Sequence, residues 1–153
     1  MTIYLDSSGI VKRYIRETGT AWIQSLCSPA SSHSLYTAHV TGAEAMAALM
    51  RRTRRGEITP ADSAAAIADL QNHLRAEYIP VFITEPLVQR AMGLTQIYRL
   101  RGYDAIQLAA ALELSGALTA LGIPPLLFIS ADNDLNAAAS AEGLAVDNPN
   151  AYP

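Results

Sequence analysis

Three aspartates in this chain stand at the same kind of place. Asp6 closes the apolar run TIYL, Asp132 follows LLFISA, and Asp104 opens GYDAIQLAAAL, so each falls where an apolar element meets a helix start. Glu17, Glu57, Asp69, Glu77, Glu113 and Glu142 differ, because they sit in polar or helix-face settings. A carboxylate at a helix N-terminus gains roughly 0.5–2 kcal/mol from capping and the helix dipole, which accounts for each aspartate taken singly. Thr41-Gly42-Ala43-Glu44 likewise matches a capping box. Glu44, however, is read inside a helix that begins near Ala38, flanked by Ala43, Ala45, Met46, Ala47, Ala48 and Leu49. A buried carboxylate without a partner costs several kcal/mol or becomes neutral. Lys12 is the chain's single lysine and no arginine adjoins Glu44. A hard cation shared by the acids resolves the conflict.

Oxygen donors without a cysteine set or an organised histidine set favour Mg²⁺ or Mn²⁺ over Zn²⁺. His33, His39 and His73 lack ligand spacing and read as surface or local hydrogen-bonding residues. A divalent ion on a phosphodiester oxygen neutralises transition-state charge, and phosphoryl chemistry asks little covalent help from side chains. Ser7 and Ser8 have no histidine partner and read as helix-capping or water-holding groups. The expected catalytic set is therefore Asp6, Glu44, Asp104 and Asp132. Arg51, Arg52, Arg54 and Arg55 end the helix of Glu44, where they suit RNA phosphates, an acidic partner segment, or only the helix dipole. Arg99 and Arg101 stand just ahead of Asp104, close enough in sequence for one to approach a scissile phosphate.

The elements that must position these residues alternate. TIYL (2–5) reads as a buried strand, followed by a helix from Ser7 with Ile10, Val11 and Tyr14 inward. Gly19 and Thr20 separate it from a piece carrying Trp22, Ile23 and Leu26. After a loop at 29–32, Ser34 to Tyr36 reads as a short strand. An Ala/Met-rich helix covers 38–55 and stops at Gly56. Thr59, Pro60 and Asp62 spell the next helix start, with Ile67, Leu70 and Leu74 on one face. YIPVFI (78–83) reads as a strand. A helix opens at Thr84 with Leu87, Ala91, Leu94 and either Ile97 or Tyr98 inward. Gly102 breaks it, and a further helix runs from Tyr103 or Asp104 through Leu112. LLFI (126–129) is a strand, a short helix follows Asp134 until Gly143, and 144–146 closes as a strand. Short apolar strands alternating with helices predict a three-layer α/β/α domain around a central, mainly parallel sheet.

The 153 residues, with no repeat or linker, are expected to form one domain, 1–153. Half the residues are apolar and 16% are charged, as in a packed core. The net charge of −3 excludes a basic nucleic-acid coat but not an enzyme that grips RNA locally. Cys27 is alone, so no internal disulfide forms. No leader or spanning segment is recognised, and the expectation is a cytoplasmic protein with no membrane contact.

Taken together, YLDSSGIVKRY with Glu17 and Gly19, Glu44 in its Ala-rich helix, GYDAIQLAAAL and FISADNDLNAAASAEGL resemble the PIN-domain family. Within that family they resemble the VapC-type toxins of type II toxin–antitoxin systems, over nearly the whole chain. The resemblance implies a PIN fold, a Mg²⁺- or Mn²⁺-dependent endoribonuclease, frequent homodimerisation and neutralisation by a cognate antitoxin protein. It carries the acidic quartet over to Asp6, Glu44, Asp104 and Asp132, adds Asp134 as a supporting metal ligand, and places Ser8 and Ser130 beside the site. Lys12 and Arg13 fit a basic position after the first acid.

Two other classes share part of this pattern. A receiver domain or a haloacid-dehalogenase-type phosphatase also ends its first strand in an acid. The phosphatase wants a second aspartate where Ser8 stands, and the receiver wants a late lysine that is missing. A non-catalytic PIN-like binding module would show no metal-induced stabilisation.

Overall fold

The computed structural model describes residues 1–153. Five strands, β1 (Thr2–Leu5), β2 (Ser34–Ala38), β3 (Tyr78–Val81), β4 (Leu127–Ile129) and β5 (Ala145–Asp147), form a single sheet in the order β3-β2-β1-β4-β5. Every pairing is parallel, with Tyr4 opposite Tyr36 on one side and Phe128 on the other. A parallel sheet is buried on both faces. β1 shows this by alternation, because Ile3 and Leu5 pack on one face and Tyr4 on the other.

Seven helices cover the faces: α1 (Ser7–Val11), α2 (Thr20–Leu26), α3 (Thr41–Arg54), α4 (Pro60–Ala76), α5 (Glu85–Ile97), α6 (Gly102–Ala120) and α7 (Asn133–Ala141). Helices α1 to α4 bury Ile10, Ile23, Leu49 and Leu70 against Ile3, Leu5 and Leu35. Helices α5 to α7 bury Leu87, Leu94, Leu108 and Leu135 against Tyr4 and Phe128, whose rings stack at 5.5 Å. This is the expected three-layer α/β/α PIN-like architecture, and the sheet is wholly rather than mainly parallel. No helix is long and apolar enough to cross a membrane.

Several boundaries differ from the sequence reading. Ala38 ends β2 rather than opening a helix. It pairs with Val81, and His39 continues the ladder by donating to the Val81 carbonyl at 2.8 Å. Burial beside a neighbouring strand outweighs the helix propensity of the alanine-rich stretch. α6 starts at Gly102, the residue read as the break between two helices, and it runs past Leu112 to Ala120 so that Leu118 joins the core. Ile97 faces solvent while Tyr98 packs inward. Thr59, Pro60 and Asp62 start α4 as read, the Thr59 side chain accepting from the Asp62 N–H.

Candidate active site

At the centre of the sheet β1 meets β2 on one side and β4 on the other, so the chain order reverses there. Open α/β sheets bind ligands outside the carboxyl ends of strands at such a point. Asp6 occupies that end of β1 and Ser130 the corresponding end of β4. Gly9 allows the approach, because a Cβ there would lie 3.1 Å from the Ile129 carbonyl oxygen.

Asp6 is 3% exposed, and its oxygens accept from three donors. The Gly9 N–H donates at 2.8 Å, the Ser8 hydroxyl at 2.7 Å and the Ser130 hydroxyl at 2.9 Å. Both serines are held as donors toward Asp6, because each hydroxyl oxygen also accepts a backbone N–H, Ala131 to Ser8 and Asp132 to Ser130. Burial raises the Asp6 carboxyl from 3.8 to about 6, against the lowering effect of these donors, and nearby Glu44 adds to the rise. Desolvation wins. The site holds a carboxylate under strain that a cation would relieve.

Glu44 lies in the first turn of α3, not in its interior, because the helix begins at Thr41. It is half-buried. Burial raises its carboxyl, the hydrogen bond from Gln107 lowers it, and Asp104 raises it further. The Gln107 side chain, 1% exposed, is bonded at every polar position. Its Oε1 accepts from the Tyr4 hydroxyl at 2.8 Å, and its Nε2 donates to Thr41 Oγ1 at 2.9 Å and Glu44 Oε2 at 2.8 Å. Asp104 in the first turn of α6 accepts from the Arg101 N–H at 3.2 Å and from Arg101 Nε at 2.9 Å. Asp132 caps α7, accepting from the Leu135 N–H at 3.0 Å. The helix-start role considered for these aspartates is therefore present, alongside whatever else they do.

All four residues, Asp6, Glu44, Asp104 and Asp132, line one cavity of about 1050 Å³. No three of them stand close enough to enclose an ion in this conformation. The Arg101 guanidinium stands among them instead, ion-paired to Asp104 and 3.6 Å from Asp132 Oδ2. These acids raise its pKa. The donor set fits a hard divalent cation: it is all oxygen, one member is desolvated, and a side-chain cation already occupies the space between two others. Asp134 is not brought to this cavity. Two positions beyond Asp132 on α7 it turns to the opposite side, where it lines a smaller cavity with Tyr98, Arg99 and Leu100.

Glu17, read as an ordinary polar residue, lines the same cavity and bridges Lys12 at 3.1 Å and Arg52 at 2.7 Å. Arg51 and Arg55 also line it, whereas Arg54 does not and Arg99 sits with Asp134. The three histidines lie elsewhere; His73 faces Tyr14 at 3.0 Å and His39 packs on Phe82. The sequence reading missed Gln107, although a lone polar residue one turn after Asp104, in an otherwise apolar run, is its signal.

No family model matches the chain. Two curated ribonucleases of Mycobacterium tuberculosis, VapC45 and VapC49, are each 33% identical to it over 147 residues, covering 94% of this chain and 93% of the relative. The chain belongs to the VapC ribonuclease family. Solved structures agree at the level of the fold. M. tuberculosis VapC20, a sarcin–ricin loop cleaving toxin, superposes with a TM-score of 0.61 at 18% identity, covering 99% of both chains. FitAcB from Neisseria gonorrhoeae gives 0.60 at 18% identity, covering 97% of this chain and 98% of that one. FitAB bound to an IR36 DNA fragment gives 0.62 at 16% identity, covering 97% and 95%.

Proposed function

We propose that the chain is an endoribonuclease toxin of the VapC type, acting as one domain, with Asp6, Glu44, Asp104 and Asp132 holding Mg²⁺ or Mn²⁺. The observation that carries the reading is the meeting of four acids, from four separate elements, in one cavity at the sheet's switch point, with Asp6 desolvated there. A bound divalent cation supplies Lewis-acid neutralisation of charge on the phosphodiester. The chain's own residues supply the rest. Ser8 and Ser130 keep both Asp6 oxygens oriented outward from β1, and Gln107 fixes the rotamer of Glu44. Asp104 and Asp132, partly exposed at helix starts, would accept a proton from an attacking water or orient it. Arg101, once released from Asp104, is long enough to meet the scissile phosphate.

The family relationship and the likeness to FitAB and FitAcB support a cognate antitoxin as partner; the homodimer is proposed with it. The test is cleavage of RNA by the purified protein with Mn²⁺, with EDTA, and with Mn²⁺ restored. Activity lost and regained in that order, and absent in Asp6→Asn protein of unchanged circular dichroism, supports the reading. Undiminished cleavage in EDTA would end it.

A further inference from the structure

The cavity is much larger than a cation and one phosphate require, and its excess lies along α3. Glu44, Ala47, Ala48, Arg51 and Arg52 line it from that helix, and Arg55 from the helix C-cap. At 3.6 residues per turn Arg51 and Arg55 fall within about 20° of the Glu44 direction, while Arg52 and Arg54 fall about 80° to either side. At 1.5 Å per residue Arg51 lies about 10 Å and Arg55 about 16 Å beyond Glu44 along the axis. Between acid and arginines the wall given by this helix is alanine, which leaves space, while the acids Glu17 and Glu57 that also line the cavity are paired with Lys12, Arg52 and Arg55.

The cations on this helix end are not equivalent. Arg52 is committed to Glu17 at 2.7 Å. Arg55 is loosely paired with Glu57 at 3.8 Å. Arg51 has no carboxylate within ion-pair distance and no hydrogen-bond partner, yet it faces the cavity. On the α6 side, next to Asp104, the Tyr103 ring lines the same cavity and is 51% exposed. A cationic track combined with an exposed aromatic ring is how proteins bind a single nucleic-acid strand, by phosphate contact and base stacking.

We propose that this groove binds an unpaired RNA strand, with Arg51 and then Arg55 on the phosphates that flank the cut and Tyr103 stacked on a base beside it. The assignment rests on the ribonuclease reading and specifies how the substrate lies. Arg54, on the same helix end and equally exposed but outside the cavity, takes no part. Charge alone would make Arg51 and Arg54 interchangeable; the groove makes them different.

The experiment compares wild type, Arg51→Gln, Arg54→Gln and Tyr103→Ala on one unstructured oligoribonucleotide and on a duplex of the same length. Arg51→Gln should raise KM about tenfold with kcat kept, and should lower the salt slope of binding by about 0.7. Tyr103→Ala should raise KM about fivefold or more. Arg54→Gln should match wild type, and the duplex should be a poor substrate. Equal KM in Arg51→Gln and Arg54→Gln, with cleavage still EDTA-sensitive, overturns the track and leaves the nuclease reading standing. So does an Arg51→Gln protein that binds RNA normally but has lost affinity for its antitoxin. Preference for the duplex overturns the unpaired-strand assignment, and absence of RNA cleavage by wild type overturns both readings.

Discussion

Gln107 Nε2 donates to Glu44 Oε2 at 2.8 Å, and the amide cannot turn over, because its Oε1 is held by the Tyr4 hydroxyl on the other side. A residue from the middle of α6 thereby fixes one from the start of α3 across the upper surface of the sheet. Groups that orient metal-binding carboxylates typically matter by 10–100-fold in metal affinity or activity. Gln107→Met keeps volume and removes the donor. It should weaken Mn²⁺ binding and cut kcat by about 10–100-fold. It also leaves Tyr4 and Thr41 without their partner, at a cost of about 1–3 kcal/mol in stability. In a Glu44→Ala background the same substitution should have no further effect on Mn²⁺ binding, a coupling that a purely structural role would not produce. Isothermal titration and urea denaturation separate the two effects.

Asp6 gives a stability that depends on pH in a particular direction. Its carboxyl is raised from 3.8 to about 6, so between those pH values the folded, metal-free protein keeps a proton that the unfolded chain has lost. Stability contributed by this group is therefore present below about 4 and falls as pH rises toward 6, by on the order of 3 kcal/mol in all. Asp6→Asn removes the titration. In EDTA the variant should match wild type near pH 4 and exceed it by about 1–3 kcal/mol at pH 7.5. Added Mn²⁺ should stabilise wild type at pH 7.5 and leave the variant unmoved. A wild-type to variant difference that does not change with pH would mean that Asp6 stays ionised throughout.

Much of this arrangement is legible in the sequence because it is local. TIYL followed by Asp6, and LLFI followed by Ser130 and Asp132, each spell a short apolar strand with a polar residue at its carboxyl end, and the fold requires no more to bring them together. The start of the Glu44 helix is not legible: Ala38 belongs to β2, and alanine-rich sequence cannot report which neighbour buries it. Gln107 is not legible in this way, because its partners Tyr4 and Thr41 are far away in sequence and only the packed sheet sets those distances. The same holds for the bridge from Glu17 to Arg52, although the other partner of Glu17, Lys12, is near in sequence. Asp134 lines a different cavity from Asp132, because two positions along a helix turn a side chain to the other side.

The C-terminal residues make a case that sequence patterns do not reveal at all. Tyr152 stacks on Trp22 with ring centroids 4.1 Å apart and planes within 4°, and its hydroxyl donates to Asp147 at 2.8 Å. Gly19 accommodates the returning chain, since its φ is 88° and a Cβ there would collide with the Pro149 carbonyl. Tyr152→Ala should cost about 1–2 kcal/mol through the lost stack and hydrogen bond, with RNA cleavage per folded molecule unchanged. A melting curve alongside kcat decides it. A larger loss of activity than of stability would tie α2 to the site.

Arg101 offers the sharpest sign. Its guanidinium is paired to Asp104 at 2.9 Å and stands 3.6 Å from Asp132, so a cation entering between these acids has to displace it. The side chain is 80% exposed, and water and salt screen the pairing, so the competition is modest. Arg101→Gln should tighten Mn²⁺ binding several-fold at low ionic strength, with the gain fading as salt rises. If the freed arginine then meets substrate phosphate, the same variant should bind metal better and cleave RNA worse, with the defect in kcat/KM. Opposite movement of the two quantities is the expected outcome. Weaker metal binding in Arg101→Gln would instead mean that the arginine gathers the acids for the ion, and the competitive picture would be wrong.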